Sequence, residues 1–310
     1  MDIQTETELK EALKQLEAGN PSGAYEITSK LFERDLESKE LSYTNRCCIF
    51  WIDISNRISK ISDSFEQGER ILYEWKAFQS FISREKFVYE PALYSMQKGF
   101  FTKALEHYNK FLDEKDPLRR AENYKKAGIC YKKLGNFENA RYCLSEANDI
   151  YPNLAPVLAE LADCYSLCGE DKYGKVLFRE AFFLAPESID IDFLDSELIK
   201  CLINKTSAKG YSGRILLNWI PVYGVLGGVF NVRRELNSQE VGRLKQSIYA
   251  MENEYKDPSC NAEVLTPRLL NYYFWLIDHY VLTHENVTKI NEVLLKIKIL
   301  DSSIYEMYVK

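Results

Sequence analysis

The stretch that decides the fold runs from Ala121 to Pro152 and reads AENYKKAGICYKKLGNFENARYCLSEANDIYP. On each side of its centre, apolar residues recur every three or four positions, which predicts two helices. Residues 134–136 interrupt the pattern, and Gly135 tolerates the backbone that ends a helix. Pro152 ends the second helix. The stretch therefore predicts a helical hairpin.

Small residues indicate how closely the two helices pack. Gly128 has no side chain, and Ala140 and Ala147 have nearly none, so two antiparallel helices can approach closely there. Tyr131 and Leu144 are expected to fill the space on either side.

The same pattern recurs along the chain. From Gly135 to Gly169 is 34 residues, and from Pro152 to Pro186 is again 34. The next unit carries Leu158, Leu161, Ala162, Tyr165, Gly169, Gly174, Phe178, Ala181 and Pro186. Upstream, a looser version contains Gly99, Phe101, Ala104, Tyr108 and Pro117, with Gly99 lying 36 residues before Gly135.

This recurring pattern closely resembles the tetratricopeptide repeat (TPR) signature, most clearly over residues 92–186. In the clearest unit the matching residues are Tyr124, Ala127, Gly128, Tyr131, Ala140, Leu144 and Pro152. The resemblance implies an all-α, TPR-like solenoid of helical hairpins over residues 1–186, with its clearest repeats at 86–120, 121–154 and 155–188. A smaller all-helical region, 187–310, is expected to follow.

Outside the clearest repeats, start signals place further helices. Asn20-Pro21 begins the second helix of a hairpin that is expected to be a degenerate first repeat, and residues 41–54 and 61–82 form another helix pair. Acidic residues between 187 and 197 predict a helix start, and 205–213 is expected to be polar and flexible. Later start signals are Asn237 with Glu240 in a capping box, Thr266-Pro267 and Asn286.

Composition narrows the function class. The 310 residues carry a formal charge of −6 and are 46% hydrophobic, so the chain can build a core and gives no global reason to bind nucleic acid. The eight cysteines contain no CxxC pair and are expected to be buried thiols in a reducing compartment. The charged N-terminus and the lack of a long apolar run predict a cytoplasmic protein without a membrane span. An exported protein whose leader has been removed is the alternative.

Groups that would carry out catalysis or bind a metal do not converge in the sequence. His279 and His284 are five residues apart, so one helix face cannot present both to a metal. His107 is the third histidine and has no motif around it, and the sequence contains no GxSxG motif or Walker loop. We therefore expect a protein that is not an enzyme and uses no cofactor or metal.

A basic cluster marks the first helix of the clearest repeat. It consists of Arg119, Arg120, Lys125, Lys126, Lys132 and Lys133, against only Glu122. In TPR proteins the first helix of each repeat lines the concave surface. By this resemblance the partner-binding groove would be lined by Tyr89, Leu93, Met96, Lys125, Ile129, Lys132, Lys133, Ala159, Asp163 and Ser166. The groove would suit an acidic partner segment, and a solvated helix face is the alternative.

Some TPR proteins bind the terminal carboxylate of chaperones through an asparagine-containing clamp. Ile129 stands where that asparagine is needed, so this activity is not expected here.

The apolar segment 215–230 does not follow the repeat. Pro221 and three glycines predict that it is not a continuous helix, and its length is short for a bilayer. Its apolar surface must be buried, first by packing within the same chain, against either the solenoid groove or the C-terminal helices, and second across a symmetric homodimer. The residues expected to mediate docking or self-association are Trp219, Ile220, Tyr223, Leu226 and Phe230.

Taken with the resemblance, these features predict a non-enzymatic scaffold that binds a peptide or helix of another protein in the concave groove. The alternative is an enzyme or small-ligand-binding protein whose site lies where the C-terminal helices meet the solenoid.

Overall fold

The computed structural model describes residues 3–310, and over this range the chain consists of α-helices and short 3₁₀ turns without a β-strand. The all-α prediction is therefore confirmed. The helices are α1 (Ile3–Glu17), α2 (Pro21–Arg34), α3 (Lys39–Ile58), α4 (Ser64–Ile82), α5 (Glu90–Tyr108), α6 (Pro117–Lys133), α7 (Phe137–Ile150), α8 (Ala155–Leu167), α9 (Asp171–Leu184), α10 (Glu197–Ser207), α11 (Gly213–Leu226), α12 (Ser238–Glu254), α13 (Ala262–Leu282), α14 (Val287–Leu300) and α15 (Ser302–Tyr308). Within this same range, no helix combines the length and apolarity needed to cross a membrane.

The hairpin of α6 and α7 forms where the sequence predicts it. Gly135 adopts a φ of 75°, a left-handed conformation that favours glycine. Asn136 caps α7, because its side chain accepts a backbone N–H of the first turn at 3.2 Å. A Cβ on Gly128 would lie only 2.7 Å from Leu144 Cγ and 3.3 Å from the carbonyl oxygen of Ala140. The predicted close approach of the two helices is confirmed.

The next hairpin, α8 and α9, repeats these features. Gly169 closes the turn with a φ of 80°. A Cβ on Gly174 would lie 2.9 Å from the carbonyl oxygen of Ala162, so these helices also pack at short range. At the N-terminus, α1 and α2 form the predicted pair, with Asn20 capping α2 and Pro21 in its first position.

Gly99, in the looser repeat predicted at 86–120, has a different setting from Gly135. Gly99 lies inside α5 and does not close a turn. A Cβ on Gly99 would collide with the carbonyl oxygen of Leu16 and lie 2.8 Å from the backbone nitrogen of Gly19. The glycine therefore permits α1 and α5 to cross closely, a contact between residues far apart in sequence.

The chain divides into two compact units, the first ending at Pro152 and the second beginning at Asn153. In the second unit, α9 shares a core with the later helices: Phe178 and Phe182 pack in one cluster with Ile199, Ile220 and Phe230. This packing explains why the hairpin α8–α9 groups with the C-terminal helices. The boundary predicted at residue 186 follows the end of the repeat signature and stays a prediction.

The core of the first unit is aromatic. Trp51 stacks on Phe100 with ring centroids 3.7 Å apart. Trp75 packs against Trp51 in a tilted arrangement and against Phe101 edge-on. All four rings are buried.

The core of the second unit surrounds α13. As its apolar sequence predicts, this helix is buried along most of its length. The helix starts at Ala262, so Pro267 lies inside it and not at its start as predicted. Asn237 and Glu240 form the predicted capping box of α12, and Asn286 caps α14.

The apolar segment 215–230 is partly non-helical, as predicted, because residues 227–230 form a turn after the helix. One detail differs from the prediction, since Pro221 does not break the helix. Pro221 lies within the continuous helix α11, which ends only at Leu226. An interior proline costs about 3 kcal/mol of helix stability. Ile220 and Val222 on either side are fully buried, and burying each contributes about 1.5–3 kcal/mol. Burial thus outweighs the local penalty.

Candidate functional site

The basic cluster on α6 is partly neutralised by acidic side chains of the same unit. Lys125 Nζ lies 2.7 Å from Glu122 Oε1. Lys126 Nζ lies 2.9 Å from Glu69 Oε1 on α4, a partner that the sequence did not indicate. Lys132 and Lys133 are only 3% and 6% exposed. The positive charge of this helix is therefore less accessible than its composition suggests.

The other predicted groove residues of the first unit have mixed exposure. Tyr89 is the residue that precedes α5, and it is half-buried, as is Leu93. Met96 and Ile129 are buried. Of this set, the half-buried side chains Tyr89, Leu93 and Lys125 retain accessible surface.

In the second unit, the segment that follows α9 covers part of the predicted groove face of α8. Asp163 is fully buried and accepts the backbone N–H groups of Asp195 and Ser196 at 2.8 and 2.7 Å. Ala159 belongs to the same buried cluster as Leu194, and Ser166 is half-buried. These hydrogen bonds hold residues 194–196 outside a helix, so the predicted acidic helix start is realised only at Glu197, where α10 begins.

The predicted docking segment packs within its own unit. Trp219 is 7% exposed, while Ile220 and Phe230 are fully buried, and Tyr223 and Leu226 are half-buried. The first-ranked prediction, packing inside the same chain, is confirmed, and self-association stays a prediction.

Gly224 makes that packing possible. A Cβ on this residue would collide with the ring of Phe230. The backbone N–H of Phe230 donates to the carbonyl oxygen of Gly224 at 2.8 Å. The turn therefore folds the phenylalanine back against α11.

A cleft that the sequence did not predict lies between the N-terminal ends of α4 and α6 in the first unit. Its volume is about 430 Å³. Phe65 and Phe111 form an apolar floor, with ring centroids 6.0 Å apart in an edge-to-face arrangement. Asn123, buried on α6, donates from Nδ2 to the carbonyl oxygen of Phe111 at 2.7 Å and so fixes this floor.

The rim of the cleft is charged. Glu114 accepts the backbone N–H of Lys115 at 2.7 Å, and Asp63 caps α4 by accepting the N–H of Glu66, also at 2.7 Å. Arg119 is exposed on the rim and makes no side-chain hydrogen bond or ion pair within residues 3–310. It is therefore available to a ligand. The rim residues come from separate elements, so no local sequence motif could have revealed them.

His107 on α5 contacts the first residue of α4. His107 Nδ1 lies 2.7 Å from Ser64 Oγ, and burial together with Lys110 lowers the pKa of this histidine. His279 and His284 are at the end of α13 and in the turn after it. Among residues 3–310, no group of three or more His, Cys, Asp and Glu side chains could hold a metal ion.

The cysteines are mostly buried, as predicted. The buried ones are Cys47, Cys48, Cys130, Cys143 and Cys164, and no disulfide joins any of the eight. Burial raises the pKa of the Cys47 and Cys48 thiols to about 12.

Two comparisons, with family models and with curated proteins, found no match: no protein-family model matches the chain, and no curated protein matches it significantly.

Proposed function

We propose that this protein is a non-enzymatic interaction scaffold of the TPR type, in which a peptide or helix of a partner protein binds at a cleft that contains none of the predicted concave-groove residues. One observation carries the proposal: the cleft between α4 and α6 combines an apolar floor with a charged rim. Protein interfaces characteristically pair a buried aromatic or aliphatic core with a polar rim.

The size of the cleft suits an anchor side chain of a bound peptide. A volume of about 430 Å³ accommodates one or two side chains, and a few such anchors supply most of the binding energy in protein complexes. Extended or helical peptides recognised in grooves use anchors of this kind.

The charge of the partner depends on which rim group dominates. Arg119 would attract an acidic segment, as the sequence predicts. Asp63, Glu114 and Glu122 would favour a basic one. A charge reversal at Arg119 separates these cases because its side chain makes no ion pair that the reversal would break.

The test is selection of peptides from a random display library, followed by fluorescence anisotropy of the selected peptides. We expect micromolar binding that changes about fivefold or more in Arg119→Glu. The matched control is Arg84→Glu, since Arg84 is an exposed arginine of the same unit outside the cleft. Weaker binding to Arg119→Glu identifies an acidic partner, and tighter binding identifies a basic one. Selected peptides that bind wild type and both variants equally, or a library that yields no binder, would contradict the proposal.

A further inference from the structure

A second cavity, in the second unit, has a different chemistry. Its volume is about 500 Å³, within the roughly 300–1,000 Å³ typical of ligand pockets. Its apolar walls include Val225 and Leu226 of α11, Ile277 of α13, Leu294 of α14 and Met307 of α15. Four helices of one unit therefore line it.

A buried arginine lines this cavity. Arg179 is 3% exposed, donates from Nη1 to the carbonyl oxygen of Val232 at 2.6 Å, and pairs through Nη2 with Asp278 Oδ2. Its guanidinium carbon lies 4.7 Å from the ring centroid of Trp275. The remaining donor, Nε, has no hydrogen-bond acceptor in the described part of the chain.

A second arginine of the cavity has donors to spare. Arg233 Nε lies 2.8 Å from Asp278 Oδ1, and this is the only ion pair of the side chain within residues 3–310. The side chain is 49% exposed, so its two terminal nitrogens are accessible. Arginine binds carboxylates bidentately through such a pair of N–H groups.

The cluster of Arg179, Arg233 and Asp278 carries an excess of one positive charge. Two guanidinium groups, Arg179 and Arg233, face a single carboxylate, Asp278, whose two oxygens are both engaged. Neighbouring Arg234 adds nothing to this excess, because it pairs with both Glu180 and Glu240. Lys310 also lines the cavity, so its walls carry net positive charge beside the apolar side chains, which matches an anion with an apolar body.

We propose that this cavity binds a small apolar carboxylate, such as a medium-chain fatty acid. The carboxylate pairs with the terminal nitrogens of Arg233, and the hydrocarbon contacts Leu226, Leu294 and Met307. This function is separate from peptide binding in the first unit, and neither proposal depends on the other.

Isothermal titration calorimetry tests the proposal with sodium decanoate below its micelle concentration, in low-salt buffer. Decyltrimethylammonium, with the same tail and the opposite charge, is the control ligand. We expect one saturable decanoate site that binds at least tenfold more tightly than the cation and weakens as salt is added.

Three variants locate the site. Arg233→Gln should weaken decanoate binding about tenfold or more, because a charge-assisted hydrogen bond is lost. Arg243→Gln removes an exposed charge of the same unit that does not line the cavity and should leave binding unchanged. Met307→Trp, at a partly exposed wall position, should weaken binding by filling the cavity.

The proposal is overturned if wild type shows no saturable decanoate site or binds both ligands equally. It is also overturned if Arg233→Gln binds decanoate as tightly as wild type. Circular dichroism checks that each variant is folded, and the two-ligand comparison on wild type decides the question even if Arg233→Gln does not fold.

Discussion

Replacing Gly128 by leucine is expected to destabilise the hairpin of α6 and α7. A Cβ at this position would lie 2.7 Å from Leu144 Cγ and 3.0 Å from its Cδ2. Leu144 is fully buried, so its branch point cannot move away freely.

The magnitude follows from two opposing effects. Overpacking a core costs about 1–3 kcal/mol of stability. The contact at Gly128 is already too short for a methyl group, and leucine adds a branched side chain, so we expect a cost near the upper end, about 3 kcal/mol. Leucine has a higher helix propensity than glycine, which returns about 0.8–1 kcal/mol. We therefore expect a net loss of about 2 kcal/mol in the free energy of unfolding.

The assay is urea unfolding followed by circular dichroism. With an m-value of about 2 kcal/mol/M, the midpoint of Gly128→Leu should fall by about 1 M. Gly242→Leu is the matched control, since Gly242 lies in α12 and a Cβ there meets no atom within 4 Å. Its midpoint should stay constant or rise by about 0.4 M, because only the propensity gain applies. A Gly128→Leu midpoint equal to or above that of wild type would refute the close helix crossing.

Two further predictions concern titratable groups. Hydrogen bonding from Arg234, assisted by the backbone N–H of Asn237, lowers the pKa of Glu240 below its usual 4.5, so the stability from this contact is present above that pH and is lost as pH falls through the folded-state pKa. At pH 6, Arg234→Gln should have a lower free energy of unfolding than wild type, and this difference should shrink below pH 4.5. A difference in the free energy of unfolding that stayed constant to pH 2 would show that Glu240 does not titrate through this contact. A thiol reagent at pH 8 should label the exposed Cys168 and Cys201 of the native protein first, because burial raises the pKa of the Cys47 thiol to about 12. Rapid labelling of Cys47 in the native protein would contradict its burial.

The hairpins at residues 121–184 could be predicted because their determinants are local. Gly135 and Gly169 close turns, and apolar residues of adjacent helices repeat at helical spacing. Such contacts join residues close in sequence, so a pattern within one repeat contains both partners.

Gly99 and Pro221 show where local rules failed. Gly99 was matched to the turn residue Gly135 by its spacing, and Pro221 was expected to break a helix, yet both lie inside helices. Gly99 is small because the backbone of Leu16 crosses it, and Pro221 is tolerated because its neighbours are buried. In each case the deciding contact comes from another helix.

The charged sites depended on tertiary structure even more strongly. The sequence indicated a basic face on α6. In the structure, Glu69 of α4 pairs with Lys126 and offsets part of the positive charge of that face. No sequence pattern indicated that Arg179 and Arg233 would meet at Asp278, on a helix far along the chain.

By itself, the sequence determined that this protein is all-helical, where its central hairpins lie, and that the segment around Trp219 must be buried. Only the tertiary structure decided which charges are neutralised, which small residues permit helix crossings, and where cavities remain. The physical reason is range. Helix formation and turn closure depend on neighbours within a few residues, whereas ion pairs and cavities depend on which distant side chains the packed core brings together.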